Sequence, residues 1–320
     1  MSLLPVCPPH EIQAQDPTAR WLVESLWSAQ AVGIIGGEPK CGKSLLALEL
    51  AVAVASGKPC LRRFATHTQG SVLVYNGEDP LALIRQRLEN IAAATGLSLH
   101  SLPIGVITAS SLLLDRGDHQ DNLRATVAHY RPALLVLDPF VRLHSGVDEN
   151  AATDVSRLLA YLRHLGRQHQ LAIALVHHAR KQTATRARLG QSLRGSSEFH
   201  AWGDSNLYLQ RRNDRLLLSL EHRAAPALPR LSLRFHNTTD NACVLAIDDQ
   251  ADAAAAERLP APASATDNIL SALATATHPL SVRDLQKLCR IRTQRLCEIL
   301  DTMLQDGSVL RGSDGYSLPR

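Results

Sequence analysis

Eight residues in the first quarter of the chain have the types and the spacing of a loop that binds phosphate. They read Gly37-Glu38-Pro39-Lys40-Cys41-Gly42-Lys43-Ser44 and fit the pattern G-x-x-x-x-G-K-S/T. In such a loop the glycines let backbone N–H groups surround phosphate oxygens, and the positive end of the following helix points at them. We expect Lys43 to reach the β- and γ-phosphates, Ser44 to bind Mg²⁺, and Leu45 to complete the lining of the site.

The residues on both sides of this motif favour a phosphate loop over a chance glycine-rich turn. Residues 31–36 (AVGIIG) predict a buried strand that leads into the loop. Residues 44–55 (SLLALELAVAVA) predict an apolar helix that leaves it. A strand followed by this loop and a helix is the context that the motif requires.

A second metal anchor is expected at Asp138. Residues 134–138 (LLVLD) place this acid at the end of an apolar run typical of a buried strand. This is the Walker B position, whose carboxylate holds Mg²⁺ through its water shell. Alternatively, Asp138 caps the turn before Pro139, but its pairing with a phosphate loop favours the metal role. The sequence therefore predicts ATP and Mg²⁺ as cofactors.

Hydrolysis also needs a group that polarises water, and two predicted strands end in candidates. Glu78 follows the strand 71–76, and its alternative role is to place negative charge at a helix N-terminus, which suits Asp79 better. His177 and His178 end the strand 171–177, where a histidine could sense the γ-phosphate. A tandem pair is more often one buried and one exposed histidine than a metal site, and no acid or cysteine lies at ligand spacing.

The elements that must position these residues alternate between strand and helix. The predicted strands are 31–36, 71–76, 133–138 and 171–177, and the predicted helices are 43–55, 80–94, 122–129 and 152–169. Short runs at 206–210, 215–221, 230–235 and 243–247 predict antiparallel hairpins that extend the sheet. This pattern predicts an α/β fold with a mostly parallel sheet and right-handed crossovers.

Three segments are expected along the chain. Residues 1–248 form the core, with an N-terminal arm at 1–30, and the Ala/Pro-rich residues 249–265 form a linker. Residues 266–320 predict three helices and a hairpin, the pattern of a winged helix. Its DNA-reading residues are expected at Arg292, Thr293, Gln294, Arg295 and Arg311. Glu298 and Asp301 add negative charge to that face, so protein docking stays open as the alternative.

Composition sets broader bounds. The chain has 320 residues, of which 45% are hydrophobic and 4% aromatic, so its core must be aliphatic. A net charge of +4 permits a nucleic-acid partner without requiring one. The six cysteines are scattered without a C-x-x-C pair, which favours reduced thiols and a cytoplasmic location. No apolar run approaches the ~18 residues of a membrane span, so we expect no membrane partner.

The order of these motifs resembles the RecA-like P-loop ATPase core. Within that class it is most similar to the RepA-like (AAA_25) group, which includes hexameric plasmid replicative helicases. The matching stretches are RWLVESLWSAQAVGIIGGEPKCGKSLLALELA, VLVYNGEDP, LLVLDPFVRLHSGVDEN, ALVHHARK and LRGSSEFH, within roughly residues 20–225. The resemblance implies a catalytic carboxylate at Glu78 and a γ-phosphate sensor at His177 or His178.

The resemblance also implies a site shared between subunits of a ring or filament, completed by an arginine of the neighbour. The family often carries a Lys-x-Arg pair on a late strand, and the matching residues here are Glu221-His222-Arg223, which lack the lysine. Arg223 is therefore the candidate for this trans-acting role, with Arg211 and Arg212 as rivals.

A basic segment follows the two histidines. It contains Arg180, Lys181, Arg186, Arg188 and Arg194 and no acid. A basic loop tied to the nucleotide site is suited to contact the backbone of single-stranded DNA in a central channel. It lacks the aromatic residues that favour base stacking, so a solvated loop is the alternative.

We expect a DNA motor, helicase-like, in replication of a plasmid or mobile element. The alternative is a nucleotide-switched DNA-binding or partner-recruiting regulator that does not unwind DNA.

Overall fold

The computed structural model describes most of the chain and divides it into two compact units, Met1–Asp249 and Gln250–Arg320. The described residues are 3–12, 19–146, 152–178, 196–212, 215–226, 228–237, 243–248, 265–276, 278–289 and 293–319. Nearly all of the predicted linker 249–265 lies outside them. Each unit is described by itself below.

The first unit alternates strands and helices up to β8 and then continues as strands. Its elements are β1 (Trp21–Val23), β2 (Trp27–Ser28), β3 (Val32–Gly37), α1 (Lys43–Ser56), β4 (Val72–Asn76), α2 (Leu81–Ala94), β5 (Ile104–Val106), α3 (Gly117–Tyr130), β6 (Leu134–Asp138), α4 (Ala152–His169), β7 (Ala172–His178), α5 (Ser196–Trp202), β8 (Ser205–Arg212), β9 (Arg215–His222), β10 (Leu231–Asn237) and β11 (Cys243–Ile247). Single 3₁₀ turns lie at Pro9–Glu11, Leu99–Ser101 and Phe140–Arg142.

These strands build one large sheet in the order β11-β10-β9-β8-β3-β7-β6-β4-β5. From β8 to β5 neighbouring strands run parallel, whereas β8, β9, β10 and β11 pair antiparallel. The predicted α/β fold with a mostly parallel sheet is therefore confirmed. Because the central strands run parallel, the carboxyl ends of β3, β4, β6 and β7 meet at one edge of the sheet.

Apolar residues cover both faces of the sheet, as the continuous hydrophobic runs predict. The helix α1 packs on one face and is buried from Lys43 to Ala55 except at Ser44, which is partly exposed. On the other face, α4 and α5 contribute Leu162, Phe199 and Trp202 to a second apolar cluster.

The predicted N-terminal arm contains a hairpin that belongs to the core. Strands β1 and β2 pair antiparallel, and Trp21 and Trp27 are buried. The indole Nε1 of Trp27 donates to the carbonyl oxygen of Ala31 at 3.2 Å. Two strands this short have too few residues to show a periodic pattern, so the sequence does not indicate them.

The antiparallel edge of the sheet lies close to two helices, since β11 packs against both α1 and α2. Glu49 of α1 and Arg62 satisfy backbone groups of this edge strand. The Glu49 Oε1 atom accepts a hydrogen bond from the Leu245 N–H at 3.2 Å, and the Arg62 guanidinium donates to the Leu245 carbonyl oxygen. The Arg62 Nη2 atom also lies 3.5 Å from Glu49 Oε1. This cluster therefore occupies part of an edge that could otherwise pair with another strand.

Replacing Glu49 by glutamine is expected to reduce the pH dependence of stability. Burial raises the pKa of Glu49 from 4.5 to about 7, despite the nearby Arg62. The folded state therefore retains a proton that the unfolded chain loses between these values, so stability falls as pH rises through this window. We expect the free energy of unfolding of the wild type to fall by about 2 kcal/mol more than that of Glu49→Gln between pH 5 and 8.

Urea denaturation at both pH values measures this difference. The control is Glu89→Gln, which changes an exposed glutamate of α2 that is paired with Arg85. An unchanged pH dependence in Glu49→Gln would show that Glu49 ionises in the folded protein as it does in the unfolded chain.

The second unit contains helices α6 (Ala265–Thr275), α7 (Val282–Cys289) and α8 (Thr293–Gln305), followed by the hairpin β12 (Leu310–Gly312) and β13 (Gly315–Ser317). Its core includes Ile269, Leu285 and Leu300. Backbone hydrogen bonds of 2.9 Å in both directions join Leu280 to Tyr316 and add a bridge to the hairpin. This order of elements is the one that the winged-helix prediction requires, and assignment to that class stays a prediction.

Throughout the described part of both units, no helix combines the length and the apolarity that crossing a bilayer requires.

Candidate active site

The phosphate loop joins β3 to α1, and its glycines occupy positions where a side chain would clash. Gly37 has a φ of +152°, and a Cβ atom there would lie 2.2 Å from the carbonyl oxygen of Leu209. Gly42 has a φ of +94°, and its Cβ atom would lie 3.1 Å from the Phe235 ring. The loop is therefore held closely between α1 and the strands β8 and β10.

Gly37→Ala is expected to destabilise the fold and to weaken nucleotide binding, because the added Cβ overlaps a backbone oxygen that has little freedom to move. We expect a loss of at least about 1–3 kcal/mol in the free energy of unfolding. The matched control is Gly117→Ala, where no atom lies within 4 Å of the added Cβ. Urea denaturation of both variants makes the comparison, and equal stability would contradict the close packing at Gly37.

Lys43 is buried at the start of α1. Its side chain is 3% exposed, and its Nζ atom donates to the carbonyl oxygen of Glu38 at 2.7 Å. Burial lowers the pKa of Lys43, while the charges of Cys41, Asp138, Glu78 and Glu38 act in the opposite direction. The ammonium group is thus held within the loop, next to acids that come from two other strands.

Asp138 ends β6 beside Asn76, which ends the neighbouring strand β4. The Asn76 Nδ2 atom lies 3.3 Å from Asp138 Oδ2, and Ser44 donates a hydrogen bond to the same carboxyl group. Burial raises the pKa of Asp138 to about 6; the charges of Asp79 and Glu78 act in the same direction. Ser44 and Asp138, predicted as metal ligands from separate motifs, are in direct contact.

Asn76 also shapes the turn that carries Glu78. Its Oδ1 atom accepts hydrogen bonds from the backbone N–H groups of Glu78 at 2.9 Å and Asp79 at 2.8 Å. This asparagine therefore ties the Glu78 turn to Asp138. The sequence motifs did not indicate this role for Asn76, although an amide at the end of a buried strand is a recognisable signal.

Glu78 is half exposed and lies between two basic groups. Its Oε1 atom is 3.3 Å from the Nε atom of Arg142, and its Oε2 atom is 3.8 Å from the Nε2 atom of His178. His177 points to the other face of the sheet, where it stacks on Phe199 with ring centroids 4.2 Å apart. His178 is thus the member of the pair that lies near the candidate catalytic acid.

These groups open onto a cleft of about 820 Å³. The predicted residues that line it are Pro39, Lys40, Gly42, Lys43, Ser44, Leu45, Glu78 and His178. The cleft is also lined by residues that the sequence motifs did not indicate as part of the site: Asp79, Leu83, Gln86, Arg87, Asn90, Phe235 and Cys243. Gly37, Glu38 and Cys41 shape the loop without lining the cleft, and Cys41 is 2% exposed.

Comparison with known proteins identifies the family of the chain. The family model AAA_25, described as an AAA domain, matches residues 3–184. This is more than half of the 320 residues. The chain belongs to the AAA_25 family. Membership of this family supports ATPase activity, and the P-loop and its neighbouring acids stay the predicted nucleotide-binding motifs of this AAA_25 protein.

Solved structures resemble the fold of the AAA_25 protein. A DnaB-like replicative helicase, solved in a study of its interactions with primase, superposes with a TM-score of 0.53 at 13% identity, over 68% of this chain and 57% of that one. A second solved structure, of an ATPase domain, gives a TM-score of 0.51 at 13% identity, over 68% and 86% of the two chains. At this identity the likeness shows the RecA-like fold alone, and the match spans little more than half of the replicative helicase.

The residues of the AAA_25 protein suit Mg²⁺ bound together with a nucleotide. Within the described ranges, no three His, Cys, Asp or Glu side chains form a group that could hold a metal alone. Mg²⁺ prefers oxygen ligands and often takes one or two from the protein and the rest from phosphates and water. The Ser44 hydroxyl and the Asp138 carboxylate offer oxygens of this kind beside the phosphate loop.

The three candidate trans-acting arginines occupy opposite ends of the strands. The Nε atom of Arg223 lies 3.3 Å from Asp204 Oδ1, and its Nη2 atom donates to the Ala201 carbonyl at 2.6 Å. This places Arg223 at the amino end of β3, away from the phosphate loop. Arg211 and Arg212 are exposed just beyond Leu209, which pairs with Gly37. Which of them acts in trans stays a prediction.

Most of the predicted DNA contacts lie outside the described residues. These are Arg180, Lys181, Arg186, Arg188, Arg194 and Arg292. Gln294 and Arg295 lie in the first turn of α8, and the structure describes their backbone alone. Arg311 of β12 is exposed, with its guanidinium 5.7 Å from the centroid of the Tyr316 ring.

Proposed function

We propose that this AAA_25 protein is an ATP-hydrolysing motor that acts on DNA, helicase-like, in the replication of a plasmid or mobile element. The observation that carries the proposal is the convergence of four side chains from three motifs. Lys43, Ser44 and Glu78 line one cleft, and Asp138 contacts Ser44 at its base. The match to the ATPase fold of a replicative helicase supports the choice of motor class.

We assign a task to each residue. When bound, ATP would supply the phosphoryl group and Mg²⁺ would offset its charge. Lys43 and the loop N–H groups would also offset phosphate charge, and Ser44 and Asp138 would hold the metal. Glu78 orients water for in-line attack and accepts its proton. His178, beside Glu78, is placed to report the state of the γ-phosphate to the end of β7.

The link to DNA follows from chain continuity. The strand β7 ends at His178, and the basic segment begins two residues later at Arg180. A movement of His178 on ATP hydrolysis would therefore be transmitted along the chain to this segment. In a ring or filament the segment would lie near the bound strand, where its cations can contact phosphates.

The decisive test compares ATP turnover with and without single-stranded DNA and then measures strand displacement. We expect DNA to stimulate turnover and ATP to drive displacement. Stimulation without displacement would reject the helicase activity but keep the DNA-dependent ATPase. If the double variant Arg180→Ala/Lys181→Ala retained full stimulation, the basic segment would not be the DNA contact.

The shared-site part of the proposal is tested by mixing inactive variants. Glu78→Gln lacks the proposed catalytic carboxylate. The triple variant Arg211→Ala/Arg212→Ala/Arg223→Ala lacks the arginines that are candidates to complete the site of a neighbouring subunit. If the site is shared, mixed assemblies contain some interfaces with both groups intact, so mixing restores part of the turnover. Light scattering gives the subunit number, and a monomer that hydrolyses ATP fully would reject the ring or filament.

One feature of the second unit favours the alternative, a nucleotide-switched regulator that recruits DNA or a partner without unwinding. Glu298 and Asp301 are exposed on α8, the helix expected to read DNA. Negative charge on that face weakens phosphate contact and suits a protein partner. Duplex DNA affinity of the wild type and of Glu298→Gln/Asp301→Asn distinguishes a DNA-binding face from a protein-binding face. Tighter DNA binding by the variant would indicate that DNA contacts this face of α8.

A further inference from the structure

The antiparallel part of the sheet has one face that packs towards α1 and another that points away from it. Successive side chains of a strand point to opposite faces. Leu216 of β9 and Leu233 of β10 belong to the apolar cluster that includes α1. Arg215 and Arg234 are their immediate neighbours in the chain, so both arginines lie on the face that points away from α1.

The register of the sheet aligns these two arginines with a third. Arg212 of β8 pairs directly with Arg215 of β9. The pairing of β9 with β10 extends to Leu216 and Leu233, so Arg234 comes next, beside Arg215. All three arginines are exposed. We call them the basic row, and it crosses three neighbouring strands that lie about 4.8 Å apart.

The positive charge of the basic row is not neutralised by the described residues. Among them, no acid pairs with any of the three guanidinium groups and no acceptor bonds to one. Two acids share this face, but Glu221 lies at the other end of β9 and Asp248 is level with Ser232. Like charges that are directly opposite each other destabilise a sheet. The arrangement therefore favours a role in binding an anion.

The basic row lies at the same edge of the sheet as the phosphate loop. Leu209 pairs with Gly37, and β8 continues past this pair to Arg212. On the other side of β3, Gly37 pairs with His178, after which the basic segment begins. In the strand order β8-β3-β7, the row therefore starts two strands away from the segment proposed to contact single-stranded DNA.

The chemistry of this face suits the phosphates of duplex DNA. Arginine binds phosphate oxygens through two parallel N–H donors. The described residues of this face include no exposed Phe, Tyr or Trp side chain on which the bases of a single strand could stack. Duplex DNA keeps its bases paired and carries phosphates at a higher density along its axis than a single strand does.

We propose that the basic row binds the phosphate backbone of duplex DNA, next to the single strand that the basic segment contacts. The protein thereby binds both arms of a junction between duplex and single-stranded DNA. This proposal rests on the proposed action on DNA, and it adds a second contact surface that acts on a different form of the nucleic acid.

The test uses Arg215→Ala/Arg234→Ala and a DNA duplex with a single-stranded tail. Arg212 stays in place, because it is also a candidate to complete the site of a neighbouring subunit. Fluorescence anisotropy at several salt concentrations measures the affinity. We expect it to fall about tenfold or more, and the slope of log K against log[salt] to decrease by about 2, since each duplex phosphate contact contributes about 0.9.

Affinity for single-stranded DNA, ATP turnover without DNA and the subunit number should stay unchanged in this variant. Its thermal midpoint should be unchanged or higher, because the repulsion between Arg212 and Arg215 is removed. The control is Arg157→Ala/Arg167→Ala, which removes the same charge from two exposed arginines of α4. This control should bind the junction as the wild type does.

Each other result has a defined meaning. Equal junction affinity and salt slope in Arg215→Ala/Arg234→Ala and the wild type would overturn the proposal, and so would an equal loss in the α4 control. Equal losses for junction and single-stranded DNA would also overturn it, because the row would then contact the single strand. A lower subunit number would make the row a contact between subunits instead. If the wild type bound no DNA at all, the proposed function itself would fail.

Discussion

Glu78→Gln is expected to lower kcat for ATP hydrolysis by about 10²- to 10⁴-fold while ATP binding persists. The substitution keeps the size of the side chain and removes the carboxylate that we propose accepts a proton from water. Glu78 lies at the cleft surface, and the Asn76 contacts that shape its turn are made by backbone N–H groups. The turn therefore keeps its shape in the variant, so the loss falls on the chemical step.

Steady-state turnover and calorimetric ATP binding measure the two effects separately. Arg142→Met is the matched control, because it removes a basic partner of Glu78 at 3.3 Å but leaves the carboxylate in place. Both groups of that pair are largely exposed, so we expect kcat to change by less than about tenfold. Turnover of Glu78→Gln near the wild-type rate would assign the catalytic base to another residue.

The central sheet could be predicted from the sequence because its strands are buried on both faces. Continuous apolar runs mark β4, β6 and β7, and the observed strands begin one residue later than the runs do. Asp138 ends β6 and Glu78 follows β4, so local pattern also placed these two acids at the same edge of the sheet, whereas it did not indicate a role for Asn76. The choice between His177 and His178 needed the structure, since it depends on which face of β7 carries α1.

The outer wall of the cleft could not be predicted from local pattern. Phe235 and Cys243 lie about 200 residues after the phosphate loop in the chain and reach it because β11 packs on α1 and α2. Gln86 and Asn90 occur in an ordinary amphipathic helix, where polar residues normally face solvent. Long-range packing alone converts that solvent face into part of a binding site.

Lys43→Ala is expected to reduce kcat/KM for ATP by at least about 10²-fold, and the loss should appear in binding as well as in turnover. The charge of this ammonium interacts with Asp138 and Glu78, and it is buried where solvent ions cannot replace it. Without it, phosphate oxygens would approach two acids with no buried cation of the loop to oppose them. Lys43→Arg should also fail, since a planar guanidinium does not reproduce the compact ammonium that donates to the Glu38 carbonyl oxygen.

The inactivity of Lys43→Ala should not come from unfolding. Burial already lowers the pKa of Lys43, which means that the folded state carries a cost for holding this charge. Removing the charge is therefore expected to leave the thermal midpoint unchanged or higher.

Lys40→Ala is the control, because Lys40 lies in the same loop with an exposed side chain. The turnover of this variant should stay within a few-fold of the wild type. Full activity in Lys43→Ala would show that ATP hydrolysis does not depend on the Lys43 ammonium. Equal losses of turnover in Lys40→Ala and Lys43→Ala would show that activity depends on the net charge of the cleft rather than on one buried cation.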